Sequence, residues 1–335
     1  MKAVVLAETG VVENLTIRDY EKPIAGTGEV CVRLAASALN RRDYWITQGM
    51  YPAIQLPCIL GSDGAGVVES VGSGVDPACI GDEVVIYPVF EWGADPRCQG
   101  DGFRILGMPD NGTFAEYICV PRENICAKPP HLDMAGAAAL PLAGLTAWRA
   151  LVTKAGVGPG DRVLVTGIGG GVATMALMLA TALGAEVIAT SSQADKIARA
   201  RELGAIDGFL YTQENWHKEL LRQYGGVDVV IDGNCGPLFR PCLESMNPAG
   251  RYIIFGFTQG QPAGALDPSK LFFRQLKIEG TTMSTLAEFR AMLDFVAEKK
   301  LEPVIDRNFT LADAVAAHRY IGSGEQMGKI VFSHA

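Results

Sequence analysis

The segment DRVLVTGIGGGVATMALMLATALGAEVIATS, residues 161–191, decides the fold of this chain. It contains an apolar strand-like run, a glycine-rich turn, an apolar helical stretch and a second strand-like run. Glycine lets the backbone approach a pyrophosphate closely, and the start of the helix offers free N–H groups to it. The segment therefore predicts a βαβ unit that binds a dinucleotide. The alternative is a tight packing turn without a ligand.

Three further strand-like runs continue this alternation along the chain. DGFLYT, VDVVIDG and GRYIIFGF are separated by helical stretches, which predicts a doubly wound α/β unit with a parallel sheet. The earlier part of the chain consists of short alternating apolar runs broken by Gly and Pro, which indicates a mostly β domain. We therefore predict a mostly β domain over 1–127, the α/β unit over 128–267 and a return to the first domain over 268–335.

Composition and charge limit the classes of function. The net charge of −8 and the scattered basic residues argue against a nucleic-acid partner, which needs a concentrated basic face. Residues 163–185 carry no charge, but their glycines predict a strand, a turn and a helix rather than a membrane span. The chain shows no secretory signal, and its eight cysteines form no CxxC pair. We expect a cytoplasmic protein with reduced thiols and no membrane partner.

The second strand of the opening segment indicates which dinucleotide binds. NAD sites usually end this strand with Asp or Glu, whereas here the chain reads VIATSSQADK. The hydroxyls of Ser191 and Ser192 and the ammonium of Lys196 favour NADPH over NADH. Alternatively, the two serines cap the helix that follows. Within the glycine turn, the predicted cofactor contacts are Gly167, Gly169, Gly170, Gly171 and Val172.

Motifs along the whole chain resemble one protein family. They are KAVVL, NRRD, GMYP, GSDGAGVVESVGSGV, GDEVV, GTFAEY, ALPLAGLTAWRAL and the closing GKIVF. Together with the glycine turn, they resemble the zinc-free quinone oxidoreductase-like branch of the medium-chain dehydrogenase/reductase superfamily. The resemblance implies a GroES-like β-barrel catalytic domain, a Rossmann coenzyme domain and an active site in the cleft between them. It also implies an oligomer, with a dimer favoured and the strand near residues 276–280 as its seam.

The chain departs from the zinc-dependent branch of that family at each metal-ligand position. Asn40 is found where that branch has its catalytic cysteine. Ser62 and Asp63 replace the histidine and glutamate of its GHE motif, and Leu142 replaces the third ligand. Zinc requires thiolate, imidazole or carboxylate ligands, which an amide and a hydroxyl do not replace. The loop at 87–111 holds a single cysteine, so we predict neither a catalytic nor a structural metal.

The same resemblance assigns the catalytic candidates. Tyr51 matches a tyrosine that the zinc-free branch places near the nicotinamide, where its phenol can hydrogen-bond or protonate the substrate oxygen. The alternative is an aromatic residue packed on Pro52. Asn40 can donate its amide to the substrate carbonyl. Asp43 resembles an acidic residue near the cofactor ribose, or it is an acid at the start of a short helix.

A second group of residues is predicted to line the substrate pocket or to contact the cofactor. Tyr44 and Trp45 can form a flat apolar pocket with Ser62, although both aromatic residues can instead belong to the core. Lys329 resembles a basic residue that approaches the cofactor phosphates, and the alternative is a solvated side chain. The other cofactor contacts that the resemblance and the strand ends indicate are Thr146, Asn234, Gly256 and Phe257.

The absence of metal ligands determines which acceptors suit the site. Hydride transfer to an ordinary ketone builds an alkoxide, which a Lewis acid usually stabilises. Hydride transfer to a quinone or an α,β-unsaturated carbonyl instead gives a delocalised phenolate or enolate. We therefore predict an NADPH-dependent quinone or enone reductase. The alternatives are an enoyl-thioester reductase of the same branch and an NADPH-binding sensor or structural protein without useful turnover.

Overall fold

The computed structural model describes residues 1–263 and 266–334, and the chain forms two compact units. One unit contains Met1–Leu145 and Ser284–Ala335, and the other contains Thr146–Met283. Both junctions lie later in the chain than 128 and 268, where the sequence pattern placed them. The first junction is later because a helix at Met134–Ala139 packs on strands of the first unit. The second is later because the strand at Lys277–Gly280 pairs within the parallel sheet.

The first unit begins with a succession of short strands. In chain order its elements are β1 (Lys2–Leu6), β2 (Leu15–Asp19), β3 (Glu29–Leu39), α1 (Arg41–Thr47), β4 (Cys58–Ile59), β5 (Asp63–Val71), β6 (Glu83–Ile86), β7 (Val89–Phe90), β8 (Arg104–Ile105), β9 (Tyr117–Pro121), β10 (Ile125–Ala127) and α2 (Met134–Ala139). Helix α3 (Pro141–Trp148) follows and contains the junction between Leu145 and Thr146.

The second unit alternates strands and helices, which confirms the predicted α/β fold. After a π-helical segment (Arg149–Ala155), its elements are β11 (Arg162–Val165), α4 (Gly171–Ala182), β12 (Glu186–Ser191), α5 (Ala194–Glu202), β13 (Asp207–Leu210), α6 (Trp216–Tyr224), β14 (Val227–Asp232), α7 (Phe239–Glu244), β15 (Met246–Ile254), α8 (Pro268–Arg274) and β16 (Lys277–Gly280). Its parallel sheet has the strand order β13-β12-β11-β14-β15-β16. The strand predicted as a dimer seam, β16, is thus at one edge of this sheet, and its pairing with a second copy stays a prediction.

The chain then completes the first unit with two α-helices and two strands. They are α9 (Leu286–Lys299), β17 (Ile305–Thr310), α10 (Ala314–Ser323) and β18 (Lys329–Ser333). The main sheet of this unit has the order β10-β6-β5-β3-β18-β17, and β9 also pairs with β3. Strands β2, β1 and β4 form a smaller sheet, and β7 pairs with β8. This arrangement is the mostly β domain that the sequence predicted.

The register of three neighbouring strands brings distant parts of the chain to one end of the main sheet. Leu39, the last residue of β3, pairs with Ile330 of β18, and the residue before it pairs with Asp63 of β5. Asn40 and Lys329 therefore both lie next to Asp63, although Asn40 and Lys329 are 289 residues apart in sequence.

Packing around this strand end is tight. A Cβ atom added at Gly66 of β5 would lie 2.1 Å from the carbonyl oxygen of Arg33, so the close approach of β5 to β3 requires glycine there. Leu39, Phe114 and Phe332 are buried in one apolar cluster of this unit. The strand ends that carry Asn40, Asp63 and Lys329 are therefore held on a rigid core.

The uncharged region at 163–185 forms β11, the glycine turn, α4 and the start of the following loop. Its glycines divide it as the sequence predicted. In the residues that the structure describes, no helix is long and apolar enough to cross a membrane.

Candidate active site

The glycine turn follows β11 and leads into α4. Gly167 has a φ of +60°, and a Cβ atom there would lie 2.3 Å from the side-chain nitrogen of Asn234. The N–H of Ile168 donates to the carbonyl oxygen of Thr190 at 2.9 Å. Of the other predicted contacts, Gly169 and Gly170 precede α4, and Gly171 and Val172 are its first residues. The turn therefore lies at the carboxyl ends of β11, β12 and β14, and its geometry fits a dinucleotide pyrophosphate.

A buried aspartate that the sequence analysis missed fixes this sheet edge. Asp232, the last residue of β14, is fully buried and accepts hydrogen bonds from the hydroxyls of Thr166 and Tyr252, both at 2.6 Å. Its carboxylate also accepts from the backbone N–H of Asn234 at 2.8 Å. Asp232 thus ties the ends of β11, β14 and β15 together. The available signal was an acid at the end of the apolar run VDVVID.

The other predicted contacts of this edge lie in the loops after β14 and β15. The hydroxyl of Thr258 donates to the side-chain oxygen of Asn234 at 2.8 Å, which anchors the loop. Gly256 packs closely on Gly233, since a Cβ atom at Gly256 would lie 3.1 Å from the Gly233 carbonyl oxygen. Phe257 exposes most of its side chain. Asn234, Gly256 and Phe257 are therefore brought together beside the glycine turn. Thr146 is buried, with its hydroxyl 3.9 Å from the sulfur of Met283.

The end of β12 carries hydroxyls rather than a carboxylate. Ser191 is buried, and its hydroxyl accepts a hydrogen bond from the N–H of Gln193 at 3.1 Å. Ser192 is exposed, and Lys196 is buried in the first turn of α5. The N-cap residue of α5 is Gln193, so the alternative in which the serines cap this helix is wrong.

The three strand ends of the first unit hold a buried ionic cluster. The ammonium of Lys329 donates to the side-chain oxygen of Asn40 at 2.7 Å, to Asp63 at 2.8 Å and to the carbonyl oxygen of Leu39 at 3.1 Å. The amide nitrogen of Asn40 donates to Asp63 at 2.9 Å. The backbone N–H of Leu142 donates to the other carboxylate oxygen of Asp63 at 2.8 Å. Each polar group in this cluster therefore has a partner.

This cluster corrects both expectations for Lys329. Its side chain is only 2% exposed, so it is not solvated. Its three N–H donors all have acceptors within the first unit, so it has no donor left for a cofactor phosphate. Asn40 is also mostly buried, and one of its two amide donors is engaged with Asp63. The sequence analysis missed this pairing because a lone terminal lysine is usually solvent-exposed.

A second cation, Arg42, lies beside this cluster and was not among the sequence candidates. Its Nη1 atom donates to the hydroxyl oxygen of Ser62 at 2.8 Å and to the carbonyl oxygen of Leu106 at 3.0 Å. Its Nε atom is 3.5 Å from the hydroxyl of Tyr51, and the guanidinium lies 5.0 Å from the centre of that ring. The signal for Arg42 was a basic residue in the NRRD run, two positions after Asn40.

The position of Ser62 corrects its assignment to the substrate pocket. Its side chain is fully buried, and its hydroxyl donates to the carbonyl oxygen of Leu106 at 2.7 Å. Because its oxygen also accepts from Arg42, Ser62 supports the guanidinium instead of facing a substrate.

The remaining candidates lie in α1. Asp43 is its third residue, fully buried, and accepts the backbone N–H of Asn40 at 2.8 Å in a capping box, as expected of an acid at a helix start. Burial raises the pKa of Asp43 to about 6. Tyr44 packs on the apolar cluster of this unit and against Gly322, and its ring centre is 5.3 Å from that of Trp45. Tyr44 therefore belongs to the core, and half-buried Trp45 packs on it.

The residues around Asn40 and Ser62 do not fit a zinc ion. Over the described ranges 1–263 and 266–334, no three His, Cys, Asp or Glu side chains lie close enough together to hold a metal. The ammonium of Lys329 and the guanidinium of Arg42 lie there instead, and both would repel a divalent cation.

We predict that Lys329→Met destabilises the protein strongly, because it leaves the Asp63 carboxylate buried without its cation. The expected loss is about 3–5 kcal/mol of unfolding free energy. Lys2→Met is the matched control, since Lys2 pairs with Asp19 at a similar 2.7 Å but on the surface, and it should cost at most about 1 kcal/mol. Urea denaturation of both variants measures the difference. Equal losses in the two variants would contradict the buried ion pair.

Comparison with known proteins agrees with this architecture. The family model for the alcohol dehydrogenase GroES-like domain matches residues 26–130, and the model for zinc-binding dehydrogenases matches residues 171–298.

Individual relatives match nearly the whole chain. A zinc-type alcohol dehydrogenase-like protein, YogA, of Leptosphaeria maculans is 36% identical over 95% of this chain and 94% of its own length. A quinone oxidoreductase of Pseudomonas aeruginosa is 29% identical over 98% of each chain. The crystal structure of an NAD-dependent alcohol dehydrogenase superposes with a TM-score of 0.94 and 40% identity over the full length of both chains. The chain therefore belongs to the medium-chain dehydrogenase/reductase superfamily of NAD(P)-dependent oxidoreductases.

Proposed function

We propose that this protein is a metal-independent, NADPH-dependent reductase of quinones or α,β-unsaturated carbonyl compounds. The observation that carries the proposal is the buried cluster of Asn40, Asp63 and Lys329. Its donors and acceptors are paired with one another, and the family resemblance aligns Asn40 and Asp63 with metal-site positions of the zinc-dependent branch. A metal would have to displace the ammonium of Lys329 and leave that charge buried without its partner.

The lack of metal ligands favours acceptors whose reduction gives a delocalised anion. An alkoxide is strongly basic and needs a Lewis acid or several strong donors, whereas a phenolate or enolate spreads its charge over a conjugated system. The P. aeruginosa relative described as a quinone oxidoreductase supports this acceptor class. When bound, the reduced nicotinamide would supply the hydride.

Tyr51 is the proposed proton donor to the acceptor oxygen. It is half-buried, and part of its ring packs on the apolar cluster of the first unit. Its hydroxyl lies 3.5 Å from the Nε atom of Arg42, so a cation is next to the oxygen that would lose the proton. A proton donor held in this way contributes substantially to the rate of a reduction.

The choice of NADPH rests on the end of β12. Ser192 is exposed there, and no carboxylate ends this strand to bond ribose hydroxyls or repel a 2′-phosphate. Ser191 is already engaged by the N–H of Gln193, so Ser192 is the hydroxyl more available to a phosphate. One solved relative is described as NAD-dependent. The preference of this protein for NADPH over NADH therefore has to be measured directly.

We predict that EDTA-treated protein oxidises NADPH with a planar ortho-quinone or a 2-alkenal, and that Tyr51→Phe lowers kcat about a hundredfold. Tyr20→Phe, at an exposed tyrosine of the same unit, is the control and should be unchanged. Initial rates of NADPH absorbance loss measure both effects.

Two results would count against the proposal. Wild-type protein that binds NADPH but reduces neither acceptor would favour the sensor or structural role. Full activity in Tyr51→Phe would show that Tyr51 is only a packing residue. A third acceptor, a 2-enoyl thioester, distinguishes the enoyl-thioester reductase if it alone is reduced.

We also predict that Ser192→Asp raises the KM for NADPH about tenfold and changes the KM for NADH little, because a carboxylate would repel the 2′-phosphate. Asparagine has the shape of aspartate without its charge, so Ser192→Asn should keep most of the wild-type preference for NADPH over NADH. Initial rates with each coenzyme test this pair of variants. An equal response to both coenzymes in Ser192→Asp would contradict a phosphate site at the end of β12.

A further inference from the structure

The guanidinium of Arg42 is anchored firmly on one side only. Its Nη1 atom makes the two short hydrogen bonds, to Ser62 and to the carbonyl oxygen of Leu106. Its other two nitrogens make long contacts, from Nη2 to the carbonyl oxygen of Met108 at 3.4 Å and from Nε to the hydroxyl of Tyr51 at 3.5 Å. The Nε–Nη2 edge is therefore fixed in direction but only weakly engaged.

The guanidinium of Arg42 lies near one carboxylate, that of Asp43, but does not hydrogen-bond it. The side chain of Arg42 is 8% exposed, and the carboxylate of Asp43 is 3.8 Å from its Nη1 atom. That Asp43 oxygen has no hydrogen-bond partner. Asp63 is already paired with Lys329. Burial also raises the pKa of the nearby Cys58 thiol to about 11, so this thiol adds no negative charge at neutral pH.

A fixed and buried cation whose N–H edge is weakly engaged is suited to bind an anion. Arginine presents parallel N–H donors along such an edge, and these match an oxygen anion better than a lysine ammonium does. The hydroxyl of Tyr51 borders the same edge and can donate a further hydrogen bond to the same oxygen. In a partly desolvated site these donors stabilise a negative charge more strongly than they would in water.

We propose that the Nε–Nη2 edge of Arg42 and the hydroxyl of Tyr51 form an oxyanion site that binds phenolate or enolate oxygens. In turnover, which rests on the function proposed above, this site receives the oxygen on which negative charge develops. It thereby selects acceptors whose reduction gives a delocalised anion over saturated ketones. Ser62 and the Leu106 carbonyl oxygen position the guanidinium, and Tyr51 completes the site.

The test uses a phenolate and requires no turnover. 4-Nitrophenol is titrated into the full-length protein, with and without NADP⁺, and the visible absorbance of its phenolate reports binding. Wild-type protein is expected to bind the phenolate in preference to the neutral phenol. Arg42→Gln is expected to weaken phenolate binding at least about tenfold, since it removes a charged donor. Arg41→Gln is the matched control, because the guanidinium of Arg41 lies over Tyr44, 5.9 Å from its ring centre, and it should bind as the wild type does.

A second variant covers the case in which Arg42→Gln fails to fold. Tyr51→Phe keeps the ring beside the guanidinium and removes only the hydroxyl, so it should weaken phenolate binding about tenfold. Thermal melting and NADPH binding verify that each variant is folded. Wild-type protein that does not bind the phenolate, or folded Arg42→Gln and Tyr51→Phe variants that bind it within twofold of the wild type, would overturn the proposal.

Rate measurements separate this inference from the proposed function. We also expect Arg42→Gln to lower kcat/KM for a quinone at least about tenfold. Protein that reduces quinones equally well with and without Arg42 would keep the reductase function and overturn the oxyanion site. Arg42-dependent phenolate binding without any NADPH oxidation would support the oxyanion site and overturn the reductase.

Discussion

The hydrogen-bonded ion pair between Lys329 and Asp63 is the interaction on which the candidate site depends. It joins the beginnings of β18 and β5 at the point where β3 ends, so residues from opposite ends of the chain are fixed at one position. Burying two charges costs several kcal/mol of solvation for each ion, about as much as their attraction returns. The pair is tolerated because Asn40, the Leu39 carbonyl oxygen and the Leu142 N–H satisfy the remaining donors and acceptors. These hydrogen bonds hold an ammonium, rather than a metal ion, against the Asp63 carboxylate.

The two units use the buried aspartates Asp63 and Asp232 in different ways. Asp232 in the second unit accepts only from neutral donors, namely two hydroxyls and backbone N–H groups, and it orders the carboxyl ends of parallel strands around the glycine turn. Asp63 in the first unit is paired with a cation, and a second cation, Arg42, lies beside the cluster. The nucleotide edge is thus built from backbone groups that suit a phosphate. In the first unit, Arg42 is the cation that we propose to bind an anionic oxygen.

The fold could be predicted well from sequence, and the candidate site only in part. Strand and helix periodicity and the glycine turn are local patterns, so they predicted the parallel sheet and the strand that turns into α4. The sequence predicted that Asn40 and Ser62 replace zinc ligands, because the motifs around them align these two positions with the ligand positions of the zinc-dependent branch. The partner of Lys329 was not visible, because the pairing spans 266 residues and depends on strand register. Arg42 and Asp232 were missed for a related reason: a charged residue is usually exposed, and only the tertiary structure shows which ones are buried with partners.

The most direct test of the proposed metal-independent reductase function is the zinc content of active protein. Protein produced with zinc in the growth medium would be analysed by inductively coupled plasma mass spectrometry, and NADPH oxidation with a quinone would be followed before and after chelation. We expect far less than about one zinc per chain, and activity that chelation and added zinc leave unchanged. About one tightly bound zinc per chain, whose removal abolishes turnover and whose return restores it, would contradict the replacement of the metal by Lys329 and Arg42.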